Sequence, residues 1–150
     1  MKKFLAFLIA VLAFAAVASA QPRAFGARIG YGAEVSYQYS FSPATFGEMD
    51  LGLIGDKGWY VSGIFDFLLG STGAVNFYAG PGVQLGTRNY EETDGGNIMK
   101  FDAAIVGQIG AEYEFANIPL NISLDWRPAL YFNHGGFGWT GFGIGIRYRY

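Results

Sequence analysis

The stretch Phe142-Gly143-Ile144-Gly145-Ile146-Arg147-Tyr148-Arg149-Tyr150 alternates without a break. Phe142, Ile144, Ile146, Tyr148 and Tyr150 fall on one face of a β-strand, and Gly143, Gly145, Arg147 and Arg149 on the other. A soluble sheet could hide the apolar row in a core, but its outer face would then be spent on glycines and water-exposed arginines. A strand with hydrocarbon on one side and a tight polar lumen on the other uses both rows. The fold therefore turns on whether this alternation holds elsewhere in the chain.

It does. Phe25, Ala27, Ile29, Tyr31, Ala33, Val35, Tyr37, Tyr39 and Phe41 oppose Gly26, Arg28, Gly30, Gly32, Glu34, Ser36, Gln38 and Ser40. The pattern returns with Val75, Phe77, Ala79, Val83 and Leu85 against Asn76, Gly80, Gly82, Gln84, Gly86 and Arg88. It returns again with Ala103, Ile105, Ile109, Ala111 and Tyr113 against Asp102, Gln108, Gly110, Glu112 and Glu114, and with Leu120, Ile122, Leu124, Trp126 and Leu130 against Asn121, Ser123, Asp125 and Arg127. Period two dominates, and no segment past residue 20 shows a helical period.

Turn-forming clusters divide these runs at Ser42 to Thr45, Gly55 to Gly58, Gly70 to Gly73, Asn89 to Asn97, Asn117 to Pro119 and Asn133 to Gly136. Six breaks make seven strands, an odd number for a barrel whose chain enters and finishes on the same side. The run from Phe25 to Phe41 is also longer than the roughly 9 to 11 residues one crossing needs. A reversal at Gly30-Tyr31-Gly32 resolves both problems, since glycine permits the sharp turn. It also places Arg28 opposite Glu34 as a cross-strand ion pair. The expected strands are 23–30, 33–41, 46–54, 58–68, 74–88, 98–115, 119–132 and 138–150, with a bulge expected in the fourth because Ile64 and Leu68 share a face with Ser62 and Asp66.

The beginning of the chain predicts export. Lys2 and Lys3 precede an apolar run from Phe4 to Val17, and Ala18-Ser19-Ala20 supplies a small-residue cleavage site, so residues 1–20 read as a signal peptide and 21–150 as one barrel domain. Removing the first 20 residues leaves 8 basic against 12 acidic groups, a net charge of −4, which does not attract nucleic acid. The chain has no cysteine, which excludes both a disulfide framework and lipid attachment through cysteine. With 23 glycines, 18% aromatic residues and no later apolar stretch long enough for a membrane-crossing helix, a closed sheet is the remaining way to satisfy backbone hydrogen bonds in hydrocarbon. Asn89–Asn97 and 132–138 are expected to face the exterior, and the short turns the periplasm.

Aromatic residues are expected to form girdles at both interfaces: Tyr39, Phe41, Phe67, Tyr113, Phe115, Tyr148 and Tyr150 near the periplasmic rim, Trp59 and Trp139 near the outer one. The signal peptide, the eight alternating strands and the row Phe142-x-Ile144-x-Ile146-x-Tyr148-x-Tyr150 resemble the small outer-membrane β-barrels, the OmpX-like and OmpA-membrane-domain group. The resemblance covers residues 21–150 and implies an integral protein of the cell outer membrane, in contact with membrane lipid and lipopolysaccharide. It further implies that Phe142, Ile144, Ile146, Tyr148 and Tyr150 form the signal read by the barrel-assembly machinery. The family more often ends in phenylalanine than in tyrosine, and its members differ widely in what they do.

An eight-stranded barrel has an interior just wide enough for side chains to fill. The inward row of Arg28, Glu34, Asp50, Asp66, Arg88, Asp102, Glu112, Glu114, Asp125, Arg127, Arg147 and Arg149 mixes both signs and predicts a hydrogen-bonded charge network. Other motifs favour plain structural readings. His134, the single histidine, sits among loop residues; Gly136-x-Gly138-x-x-Gly141 leads into a strand where a dinucleotide site needs a helix; and Asn121-Ile122-Ser123, a glycosylation triplet by letters, lies within a strand with Asn121 and Ser123 facing the lumen. No catalytic, cofactor or metal site is expected, and the protein is expected to be a monomer. Two alternatives stand beside the non-catalytic barrel: a lipid A-modifying outer-membrane enzyme, which would need a nucleophile near His134, and a lipocalin-like soluble carrier, which would turn its aromatic rows inward.

Overall fold

A computed structural model describes residues 23–30, 32–54, 58–91, 95–133 and 136–150. The signal-peptide region, the turn residue Tyr31, the acidic residues Glu92 and Asp94 and His134 lie outside the described residues, as does the side chain of Glu91. The strands are β1 (Arg23–Ile29), β2 (Ala33–Ser42), β3 (Thr45–Leu53), β4 (Trp59–Thr72), β5 (Val75–Glu91), β6 (Asn97–Glu114), β7 (Leu120–Trp126), β8 (Ala129–Tyr131), β9 (Gly136–Gly138) and β10 (Phe142–Arg149). They form a closed, antiparallel, eight-walled barrel in which β7 with β8 makes the seventh wall and β9 with β10 the eighth. The ring closes where β10 pairs with β1, from Ala24 opposite Arg149 to Ile29 opposite Ile144. Tyr150 extends this seam: its N–H donates to the Arg23 carbonyl at 2.9 Å, and its own carbonyl accepts from the Arg23 N–H at 3.2 Å.

The reversal between β1 and β2 is present, with Ile29 opposite Ala33 and Arg28 opposite Glu34. At the other short turns, side chains assist the backbone. Ser42 Oγ and Thr45 Oγ1 lie 2.8 Å apart across the β2–β3 turn, and Gly73 takes a φ of 61° in the β4–β5 turn, a left-handed conformation that favours glycine.

The seventh and eighth strands, expected as continuous over 119–132 and 138–150, are each interrupted. Pro128 has no N–H to give the ladder, so residues 127–128 and 139–141 leave regular pairing together. Two bonds hold the gap: the Arg127 N–H donates to the Gly141 carbonyl at 2.9 Å, and the Gly107 N–H to the Pro128 carbonyl at 2.9 Å. The eighth wall also begins at Gly136 rather than 138. In β4 the register shift falls between Leu68 and Gly70, while Ile64 keeps the inward parity of Tyr60, Ser62 and Asp66. Ile64 packs with Ala104, Val106 and Ala129, so the lumen, expected to be polar throughout, contains a small apolar cluster.

Burial is inverted relative to a water-soluble domain. Arg147, Asp66, Ser36 and Ser123 are 0% exposed, whereas Ile144, Ile146 and Tyr148 are 50%, 54% and 52% exposed. Ile144, Ile146, Tyr148 and Tyr150 point outward and Arg28, Arg127 and Arg147 inward, the reverse of the inward aromatic rows expected of a lipocalin-like carrier.

Candidate functional site

Alternation turns every second side chain of eight walls toward one axis, and closure takes those groups out of water. Arg127, just past β7, reaches across to β3, which stands on the opposite side of the ring. Its guanidinium donates to Glu48 at 2.6 Å, to Asp50 at 2.9 Å and to Gln108 Oε1 at 2.6 Å, and lies 3.5 Å from Glu34. Arg147 shares Glu48 at 3.0 Å and donates to Ser36 at 2.9 Å and Ser123 at 2.8 Å. Arg28 donates to Glu34 at 2.9 Å and to Asp125 at 2.5 and 2.8 Å, and the Tyr60 hydroxyl also donates to Glu34. Three guanidiniums and four carboxylates thus form one buried cluster, extended by Asp66, which accepts from Gln108 Nε2 at 3.1 Å. Desolvation of such charges costs several kcal/mol per ion, which mutual pairing and the surrounding hydroxyl and amide groups offset.

Small residues make room for these large ones. Arg28 on β1 reaches Asp125 on β7 by lying over Gly143 of the intervening β10; a Cβ at Gly143 would meet the Arg28 guanidinium carbon at 2.4 Å. Tyr78 on β5 lies in the same way over Gly110 of β6, where a Cβ would meet its ring at 2.7 Å.

The expected charge row does not form a single network. Arg149 and Glu114 pair at 2.9 Å nearer the chain-terminus end, with side chains 32% and 38% exposed, and Asn76 joins Glu114 at 3.2 Å. Arg88 stacks over the Tyr131 ring at 5.3 Å, and Asp102 lines the space beside it. Glu112 faces a cavity of about 460 Å³ that occupies the lumen at the end where β1 starts and β10 finishes. Past the cluster, toward the other end, the spaces lined by Arg28, Glu34 and Arg127 and by Arg88 and Asp102 measure only about 20 and 10 Å³. These hold about one water each. The lumen is an open vestibule at one end and is filled with side chains beyond it.

Sequence reading missed Glu48, which bridges Arg127 and Arg147, although it shares the parity of Asp50 on the same strand. It also missed Tyr60 and Tyr78, 2% and 1% exposed, because most aromatic residues elsewhere in the chain point outward. Their signal was a lumen glycine directly across the strand: Gly52 and Gly86 beside Tyr60, Gly110 beside Tyr78.

On the outer surface the expected girdle residues touch one another in short series. Tyr39 and Phe41 have ring centroids 5.2 Å apart, Tyr113 and Phe115 4.9 Å, and Tyr148 and Tyr150 6.3 Å, while Phe65, not expected, links Phe41 and Phe67 at 5.5 and 5.2 Å. Trp139 stacks on Trp126 at 5.8 Å and meets Phe137 at 4.3 Å beside the interrupted wall. Trp59 faces outward at the start of β4, 45% exposed.

No family model and no curated protein matches the sequence. Among solved structures, the N-terminal β-barrel domain of Pseudomonas aeruginosa OprF matches with a TM-score of 0.69 and 12% identity, over 87% of this chain and 96% of that one. A de novo designed transmembrane β-barrel matches with a TM-score of 0.46 and 18% identity, over 89% of this chain and 98% of that one. The likeness to the OprF domain is one of fold, the closed eight-stranded antiparallel barrel.

Proposed function

We propose that this protein is an integral β-barrel of the outer membrane, exported by its signal peptide, non-catalytic, with a structural or surface-interaction role. The observation that carries this reading is the inverted burial: a closed sheet with arginines and carboxylates sealed inside and isoleucine, phenylalanine and tyrosine rows outside. In water so large an apolar surface drives association, whereas in hydrocarbon it is matched, and closure leaves no unpaired sheet edge to desolvate. The fold shared with the OprF domain supports the same reading, and the C-terminal row supports placement with the OmpX-like barrels. Phe142, Ile144, Ile146, Tyr148 and Tyr150 are then the assembly signal, membrane lipid and lipopolysaccharide are the contacts of the outer surface, and a closed ring favours a monomer.

The filled mid-lumen argues against free solute diffusion, so the protein is not a general porin. Cell fractionation with gel electrophoresis tests the reading. The protein is expected in the outer-membrane fraction, with a fast-migrating band that shifts on boiling, and recovery from the soluble periplasmic fraction would contradict it.

A further inference from the structure

At the end opposite the vestibule, β8 and β9 are held differently from the rest of the wall. β9 pairs only with β8, and no strand lies on its far side among the described residues, because β1 ends at Ile29 opposite Ile144. The two strands are therefore held along one edge, by β6, through Ala104 with Tyr131, Ile105 with Leu130 and Val106 with Ala129, and through the Phe132 N–H, which donates to the Ala103 carbonyl at 2.9 Å. Their base is irregular on both sides. Between the pairs Trp126–Phe142 and Ala129–Gly138, residues 127–128 of the seventh wall face residues 139–141 of the eighth, a bulge, and Pro128 has no N–H to contribute. Outside this base the Trp126 indole N–H donates to the Trp139 carbonyl at 2.9 Å while the two rings stack.

The same base belongs to the buried charge cluster. The Gly141 carbonyl accepts the Arg127 N–H at 2.9 Å and the Arg28 guanidinium at 3.2 Å, and Arg127 directly precedes Pro128. We propose that β8 and β9 form a flap that lifts from β6 about Pro128 and Gly141, and that lifting draws Arg127 away from Glu48 and Asp50. A short ladder with one open edge belongs to the low-stability end of a fold, where local opening begins. Arg127 lies one residue from the pivot, so rotation there moves a guanidinium that Glu48, Asp50 and Gln108 hold at 2.6, 2.9 and 2.6 Å. The closed state is the resting one: Tyr131 packs against Ile64, Ala104, Val106 and Ala129, with Arg88 over its ring at 5.3 Å. In that state the space that Ala129, Gly138 and Thr140 share with Arg28, Glu34 and Arg127 is only about 20 Å³. Lifting enlarges it and admits water to the cluster from this end. The coupling does not depend on the cellular location of the barrel.

The test is hydrogen exchange by NMR on the protein refolded in detergent micelles, with Ile105→Cys and Leu130→Cys placed on the outward face of an otherwise cysteine-free chain. After refolding, oxidation staples β8 to β6 and reduction releases it. Stapling is expected to slow exchange of the Phe132 and Gly107 amides, both bonded across this edge, and of the Arg127 Nε–H, which donates to Gln108, by a common factor of about tenfold or more. The Arg147 Nε–H, bonded to Ser36 away from the hinge, should keep its rate. Trp126→Phe, which removes the indole donor and keeps an aromatic ring, should speed the same three reporters together, and it decides alone should the double-cysteine protein fail to refold. The proposal is overturned if stapling leaves the Phe132 and Gly107 amides unchanged, if those amides respond without the Arg127 Nε–H, or if the Arg147 Nε–H responds equally.

Discussion

The mid-lumen and the vestibule are built from the same residue types on the same alternating strands, yet they differ in what the charges meet. Around Arg127 every guanidinium nitrogen is surrounded by carboxylate or amide oxygens, and Arg147 and Asp66 are fully buried. At Arg149 and Glu114 the same kind of pair stands about a third exposed beside open space. Charge alternation in a small barrel therefore does not define one function. Depth and the presence of a large side chain from the far wall decide whether an ion pair is sealed in the plug or stands part-exposed at the wall of the vestibule.

Substitutions can break or sharpen this contrast. Arg127→Ala should have the largest effect, about 3–5 kcal/mol, because Glu48 and Asp50 would remain buried facing each other without their shared cation. Urea unfolding in lipid vesicles measures it, and a loss below about 1 kcal/mol would mean that water already screens the cluster. Ile144→Arg, on the outward row, should cost about 2–4 kcal/mol if that position lies near mid-membrane. Gly110→Ala should cost about 1–3 kcal/mol by displacing the Tyr78 ring, detectable as a changed near-ultraviolet circular dichroism signal. Arg149→Ala should cost the least, below about 1 kcal/mol, because water competes with Glu114 for the exposed guanidinium. An Arg149 effect equal to that of Arg127 would erase the distinction between the two regions.

A related expectation changes once the packing is visible. From the sequence, Gly145→Ser is expected to be tolerated better than Ile144→Arg unless the lumen lacks room. In the barrel a Cβ at Gly145 would meet Ser123 Oγ at 2.6 Å and an Arg147 nitrogen at 2.9 Å. Ser123 and Arg147 would have to shift together, so the gap between the two substitutions should be narrower than the alternation alone suggests.

The barrel was legible because period-two alternation is a local property: each of Phe25–Ile29, Ala33–Phe41 and Phe142–Tyr150 states its own two faces. The first hairpin was legible because an odd strand count conflicted with closure, and Arg28 and Glu34 were adjacent in the resulting register. The interrupted seventh and eighth walls were less legible, although Pro128 was visible in the sequence as a residue without an N–H. The lumen partnerships were the least legible. Arg127 with Glu48 crosses the full ring, and Arg28 with Asp125 passes over an intervening strand, so both depend on strand tilt and stagger, which no single segment encodes. Tyr60, Tyr78 and Ile64 point inward against the general rule that large apolar residues of this chain face out. Glycines on neighbouring strands make the room for the two tyrosines.

The central claim is that the outward row touches hydrocarbon around a sealed cylinder. Because the chain contains no cysteine, single spin labels can be placed at Ile122, Leu124, Ile144 and Ile146 and their collisions with oxygen and with a water-soluble nickel complex compared in lipid vesicles. The account predicts that oxygen, which concentrates in hydrocarbon, relaxes all four labels strongly while the nickel complex barely reaches them. Strong nickel relaxation at these positions would contradict it.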